Sequence, residues 1–217
     1  MRILAITNLL PRPDEPERGV FNAQLFEAME EVAGVQIVCL VPCWKPWQFS
    51  LIRKWRSPGP GADARGGVGT IYMPVFYLPG VGRGLSWHTY GWTMRELEPL
   101  ARECAVVYST WLYPDGVAAT RLAAACGVPS WIMVQGSDTF HLDHPFRRSV
   151  IRKACETAAG IICVCRTLAD RLAGIGVRPE RLHVIGNGVN GGLFHFRTRD
   201  EAIRSLRERG VPEANGG

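Results

Sequence analysis

The chain predicts an α/β fold: a Rossmann-like, doubly wound, mainly parallel sheet of about seven strands with helices on both faces. Three observations predict it. Short apolar runs alternate with stretches of helical period along the whole chain, without an internal repeat. Runs such as Val35 to Val41 are almost wholly apolar, the pattern of a parallel strand covered on both faces. Two of the runs, Ala105 to Tyr108 and Ser130 to Val134, are joined by the Ala-rich helical stretch Gly116 to Cys126, which makes a βαβ unit. Such units carry ligands in the loops beyond their strands, so the loops Ser109 to Asp115 and Gln135 to Asp138 mark the expected site.

Taken in order, the first strand spans Arg2 to Thr7, and a loop with three prolines and several charges runs from Asn8 to Gly19. Phe21, Leu25, Ala28 and Met29 recur at helical spacing within a helix from Val20 to Val32, and Gly34 ends it. The second strand is Val35 to Val41. A third, Thr70 to Phe76, leads into the Gly-rich loop Pro79 to Gly84 and a helix from Ser86 to Cys104. Beyond the central unit come a helix from Pro145 to Ala158 with its proline in the first turn, a strand from Gly160 to Cys165, a short helix from Arg166 to Leu172 and a last strand from Leu182 to Ile185. A helix from Asp200 to Gly210 precedes a patternless tail, PEANGG.

With 217 residues, 47% of them hydrophobic and 21% charged, the chain can bury a full core, and nothing in its composition points to a disordered chain. The net charge of +5 is spread along the sequence, with no dense Lys/Arg run and no nucleic-acid motif. Nucleic acid is therefore not the expected partner, whereas phosphorylated ligands and an anionic membrane surface both fit. Cys39, Cys43, Cys104, Cys126, Cys155, Cys163 and Cys165 are odd in number, lie mostly within apolar patterns and form no C-x-x-C pair, which points to buried thiols in a reducing compartment. Met1 to Leu10 is interrupted by Thr7-Asn8 and has no small-residue cleavage site, so it reads as a strand and not as a signal peptide. No apolar run approaches the ~18 residues that span a bilayer.

Between Pro42 and Gly69 the periodicity breaks. The first half, WKPWQFSLIRKWR, mixes Trp44, Trp47 and Trp55 with cations, and reads either as a membrane-surface helix or as a cap folded back on its own domain. The second half, Ser57 to Gly69, is a turn-rich loop.

Asp115 and Asp138 stand at the ends of two strands joined by one crossover, where they can approach each other or share a polyol through its hydroxyls. Two plainer readings stand beside this one: Asp115 as the N-cap of the next helix, and Asp138 as a turn residue. His141 and His144 flank Asp143, but no further His/Cys pair has ligand spacing, so no metal site is expected. G-x-S-x-G, Walker, H-E-x-x-H and strand-one G-x-G-x-x-G motifs are all absent.

The series Ser109-Thr-Trp-Leu-Tyr-Pro-Asp-Gly116, Gly127-Val-Pro129, Gln135-Gly-Ser-Asp138 and Val184-Ile-Gly-Asn-Gly-Val-Asn190, with Phe194 behind it, resembles the N-terminal half of group 1 (family 4) retaining glycosyltransferases. Those enzymes have two Rossmann-like domains facing across a cleft, the GT-B arrangement. The resemblance implies that residues 1–196 form an acceptor-binding domain and that 197–217 begin the linker to a donor domain. That second domain, with its E-x7-E pair for the nucleotide-sugar, lies outside this chain.

Further implications concern single residues. Gly19 belongs to the first-strand loop near the donor diphosphate, where a backbone N–H serves an anion. Asp138 and Gln135, with Gly136 and Ser137, form the loop beside the transferred sugar and are the catalytic candidates; Trp111 and Asp115 belong to the matching loop before it. Arg166 stands where relatives often have Ser and faces either a phosphate or solvent. Asn187 and Gly188 close the domain. Many relatives carry His-Gly where this chain has Gln135-Gly136, so the amide replaces an imidazole.

The function implied is the acceptor half of a nucleotide-sugar-dependent hexosyltransferase, acting with retention on a sugar or lipid-linked sugar. It would work without metal or cofactor in the cytoplasm, in peripheral contact with the inner face of a membrane, and would be inactive without its donor domain. A non-catalytic polyol-binding module and a nucleotide-sugar epimerase of the same architecture are the alternatives.

Overall fold

The computed structural model describes residues 1–55, 69–78, 81–192 and 194–208. The turn-rich stretch expected from Ser57 onward, Pro79 and Gly80 of the Gly-rich loop, and the PEANGG tail lie outside the described residues, except for Gly69. Contacts divide the chain into two units, 1–186 and 187–217.

The first unit is built on one seven-stranded sheet of order β3-β2-β1-β4-β5-β6-β7, and every pairing in it is parallel. The strands are β1 (Arg2–Thr7), β2 (Gly34–Cys43), β3 (Ile71–Phe76), β4 (Val106–Ser109), β5 (Ser130–Val134), β6 (Gly160–Cys163) and β7 (Leu182–Val184). Their alternation puts Leu4 and Ile6 on one face of β1 and Ile3 and Ala5 on the other, and both sets are buried. β2 runs further than its apolar pattern suggests, through Pro42. By then β1 has ended at Thr7, the partner of Cys39, so one side of β2 is open, which is where a strand tolerates a residue without an N–H.

Right-handed crossovers decide which helix covers which face. Leaving β1 toward β3 places α1 (Val20–Glu30) and α2 (Pro46–Ile52) on one face, where Phe26 and Ile52 pack with Ile37 and Val41. Leaving β4 toward β7 places α5 (Val117–Cys126), α6 (Pro145–Thr157) and α7 (Arg166–Gly174) on the other. The segment that returns from β3 to β4 lies on that second face. It is not the single helix expected from Ser86 to Cys104 but α3 (Ser86–Thr93), a 3₁₀ turn (Met94–Leu97) and α4 (Glu98–Arg102). Pro99 explains the break, because it fits a first helical turn and no later position.

α1 ends two residues before the expected Val32, and α6 ends at Thr157, one residue short. In the second unit, α8 (Arg199–Glu208) begins at a capping box, with the Thr198 N–H donating to Glu201 Oε2 at 2.8 Å. The cysteines are all free, and Cys39, Cys43, Cys104, Cys155 and Cys163 are buried, as their apolar settings predict. No described helix is long and apolar enough to cross a membrane.

One cross-strand contact is unusually tight. The Trp131 indole on β5 lies flat over Gly160 on β6 and reaches the His183 ring on β7, with ring centroids 5.1 Å apart. A Cβ at Gly160 would stand 2.5 Å from the indole. Gly160→Ala is therefore expected to destabilise the fold by about 1–3 kcal/mol. In a chain of this size each of those lowers Tm by roughly 2–4 °C. Trp131→Leu in the same chain should restore part of the loss, and an unchanged Tm for Gly160→Ala would show that the contact carries no packing constraint.

Candidate functional site

β1 pairs with β2 on one side and with β4 on the other. The chain leaves β1 toward β2 but leaves β4 toward β5, so the loops after β1 and β4 part above the C-terminal edge of the sheet. That divergence opens the crevice in which doubly wound sheets hold their ligands.

A polar floor lies under it. Thr110 Oγ1 donates to Thr7 Oγ1 at 2.7 Å, joining the ends of the two strands. Asn22, fully buried on α1, donates from Nδ2 to Leu9 O at 2.9 Å and to Thr7 Oγ1 at 3.3 Å, which ties the β1 loop to the helix that follows it. Gly19 caps α1 with φ of 63°, and a Cβ there would stand 2.5 Å from the Leu9 carbonyl carbon. Only glycine lets the loop pass so close to the helix start.

The loop after β4 is not irregular up to Asp115 as expected. Leu112–Gly116 forms a π-type turn running straight into α5, and Tyr113 within it is extended (φ −139°, ψ 134°). Gly116 is required there, since a Cβ would meet Trp111 O at 2.6 Å and Ile132 Cγ2 at 2.9 Å. Asp138 anchors the turn from the neighbouring loop. Its Oδ1 accepts the Leu112 N–H at 3.1 Å and its Oδ2 the Gln135 N–H at 2.9 Å. The side chain is fully buried, and burial raises its carboxyl to about 7, against the lowering effect of the amides that donate to it.

Asp115 is also fully buried. Its Oδ1 accepts from Asn8 Nδ2 at 3.3 Å, while Oδ2 has no hydrogen-bond partner. Burial, and then the charge of Asp138, push its carboxyl well above the ordinary range, and Asn8 only partly opposes this. Asp115 caps no helix, because it sits inside the turn and bonds sideways to the β1 loop. Asp138 is a turn residue, but one whose carboxylate serves two loops at once.

The other expected residues are placed as follows. Gln135 is nearly buried, with Nε2 3.6 Å from Met133 Sδ, whereas Gly136 and Ser137 after it are exposed. Trp111 is half-buried, its indole N–H without a partner. Arg166 opens α7 on the same edge of the sheet, exposed and in no ion pair among the described residues. Asn187 and Gly188 belong to the second unit and are exposed. His141 makes a polar contact with Arg147 at 3.3 Å, and no group of three His, Cys, Asp or Glu able to hold a metal occurs among the described residues.

Sequence reasoning missed Thr7, Asn8, Asn22 and Thr110, the residues that bind the loops together. Thr7-Asn8 did carry a signal, as the polar break in an otherwise apolar run. Asn22 shares helical spacing with Leu25, Phe26 and Met29, which points to burial but not to the groups its amide meets.

Residues 19–188 match the glycosyl transferase 4-like domain. The chain belongs to that family. The match begins at Gly19 and ends at Gly188, so it takes in the β4, β5 and β6 loops described above. No curated protein matches in sequence. Among solved structures, the transferase-like domain shares its fold with Anabaena HepE in complex with UDP (TM-score 0.56, 14% identity), over 97% of this chain and 50% of that one. It is similar too to the apo form of the lipopolysaccharide outer core galactosyltransferase WaaB (TM-score 0.50, 14% identity; 88% and 46%). A UDP-GlcNAc 2-epimerase from Methanocaldococcus jannaschii has the same fold (TM-score 0.51, 9% identity; 86% and 46%). The chain thus spans about half the length of each.

The buried carboxyls make stability depend on pH. An unfolded aspartate loses its proton near pH ~4. The folded chain keeps it on Asp138 up to about 7, and on Asp115 beyond the ordinary range as well. In that window the folded state binds more protons than the unfolded one, so stability falls as pH rises. Asp115→Asn, isosteric and uncharged, is expected to gain on the wild type between pH 5 and pH 8 in urea denaturation. A difference between the two proteins that does not move with pH would show that Asp115 titrates alike in both states.

Proposed function

We propose that this chain is the acceptor-binding half of a nucleotide-sugar-dependent glycosyltransferase, passing a hexose to a sugar or lipid-linked sugar with retention at the anomeric carbon. The observation that carries the reading is the family match over residues 19–188, which takes in Gly19 and the loops after β4, β5 and β6 on one side of the switch-point crevice. Anabaena HepE forms complexes with UDP and glucose and with UDP-glucose, and a nucleotide-sugar is the donor we assign here. It would be held by a second domain outside this chain.

In this reading the β5 loop stands beside the transferred sugar. Gln135 offers its amide to a sugar hydroxyl, and Gly136 and Ser137 present exposed backbone and hydroxyl next to it. Asp138 acts from beneath, fixing the Gln135 backbone and the Leu112 turn, so that the loop is organised before the acceptor arrives. Asp115 supports the same wall through Asn8, and Trp111 offers an aromatic surface to a sugar ring. Gly19 brings the start of α1 close to the donor diphosphate, toward which Arg166 supplies positive charge. Asn187 and Gly188 lead to the donor domain. Closure of the two domains would exclude water from the acceptor hydroxyl and the anomeric carbon. No metal or cofactor has a role in this scheme, and the acceptor is met at the cytoplasmic face of a membrane.

Calorimetric titration with UDP-glucose, GDP-mannose and the free nucleotides tests the division of labour. Binding is expected only when the chain carries its donor half, and tight binding by the 217 residues alone would overturn it. With both halves present, mass and NMR analysis should show a hexosylated acceptor of retained configuration, and Gln135→Ala should lower kcat/KM about tenfold. A free C2 epimer with no acceptor consumed would assign the alternative enzyme, and sugar binding without turnover a binding module.

A further inference from the structure

α2 turns its greasy side the wrong way for a helix that only caps its domain. Phe49 and Ile52 face the sheet, packing with the core beneath β2 and β3. On the opposite side Trp47 and Leu51, one turn apart, are 60% and 46% exposed, and Trp44 just ahead of the helix is 52% exposed. The apolar surface does not stop there. The Tyr77 N–H bonds to Cys43 O at 2.9 Å, which sets the end of β3 beside Trp44, and the flanking Phe76 and Leu78 are 44% and 47% exposed. A large apolar surface of this kind marks a docking face.

Its charge selects the occupant. No acid occurs from Val32 to Ala62, while Lys45 and Lys54 are exposed. Lys45 Nζ lies 5.2 Å from the Trp44 ring centroid and 5.8 Å from that of Trp47, between the two rings that would meet the apolar phase. Lys54 is in no ion pair among the described residues. The nearby acids Asp14 and Glu15 are held by Arg12, at 3.1 Å and 2.9 Å, and Glu96 by Arg53 at 3.1 Å. Tryptophans with an apolar body and a polar edge, ringed by unopposed cations, match the boundary between acyl chains and anionic headgroups.

We propose that the outer face of α2, with Trp44, Lys45, Trp47 and Leu51, docks the protein on an anionic lipid bilayer. The surface lies at the C-terminal end of β2 and β3, the same sheet edge as the crevice. A sugar carried on a membrane lipid would therefore be presented toward the crevice. This last consequence rests on the proposed glycosyl transfer, but the docking does not.

The test uses the 217-residue chain with vesicles of phosphatidylcholine alone or mixed with phosphatidylglycerol, and no donor or acceptor. Co-sedimentation with the anionic vesicles only is expected, with tryptophan fluorescence quenched by brominated acyl chains. Trp47→Ser/Leu51→Ser, on a surface where folding does not depend on them, should keep the wild-type circular dichroism and lose about tenfold or more in partitioning. Lys45→Glu should lose about fivefold or more. Absence of binding to anionic vesicles, binding that the well-folded double variant retains, or self-association through this face seen by sedimentation in place of vesicle binding would each overturn the proposal. Because no sugar is present, none of these results bears on the transferase reading.

Discussion

A single buried carboxylate holds the functional edge together. Asp138 gives one oxygen to the backbone of its own loop, at Gln135, and the other to Leu112 in the loop after β4. Neither N–H has a helical or strand partner at that point, and both are far from water, so losing their acceptor would leave two buried donors unpaired. The carboxylate thus does for two loops what a strand ladder does for two strands. The position of Gln135, Gly136 and Ser137 follows from it.

The second constraint is topological. Right-handed crossovers wind outward from β1 and β4 in opposite directions, and this alone divides the helices between the faces and parts the loops above the sheet. Packing then closes the parted loops from below. Thr7, Thr110 and Asn22 form a hydrogen-bonded polar floor, and Gly19 and Gly116 let backbone approach backbone where any side chain would collide. Asp115 is the costly element of this arrangement. Its buried carboxyl with an unpartnered oxygen is the kind of polar group that a fold retains only where the surroundings over-determine it. Buried carboxyls with displaced titration, set at the switch point of an α/β sheet, are also the feature by which functional clefts are recognised.

The membership of the family and the wall of the crevice support each other, since the match covers the loops after β4, β5 and β6 and the Gly19 end of the β1 loop. The structural likenesses, at 9% to 14% identity, speak for the fold alone. The exposed face of α2 is a separate matter. It shares the edge of the sheet but none of the carboxylate network, so the two surfaces can be altered independently.

The sequence by itself determined the sheet, the number and direction of its strands, and the loops that carry Gly19, Trp111, Asp115, Gln135 to Asp138 and Arg166. These are legible because burial on both faces demands unbroken apolar strands, and because a parallel sheet sends alternate loops to one edge. Only the tertiary structure decided what those residues do to one another. Asp138 reads as a turn residue until Leu112, 26 positions away, is seen to donate to it. Asp115 reads as a cap until Asn8, 107 positions away, is found at its carboxylate. Asn22 reads as a polar residue on the covered side of α1 until Leu9 and Thr7 are found at its amide. Each depends on partners distant along the chain, and hydrophobic periodicity, being local, records that a residue is buried or exposed but not which polar group it meets.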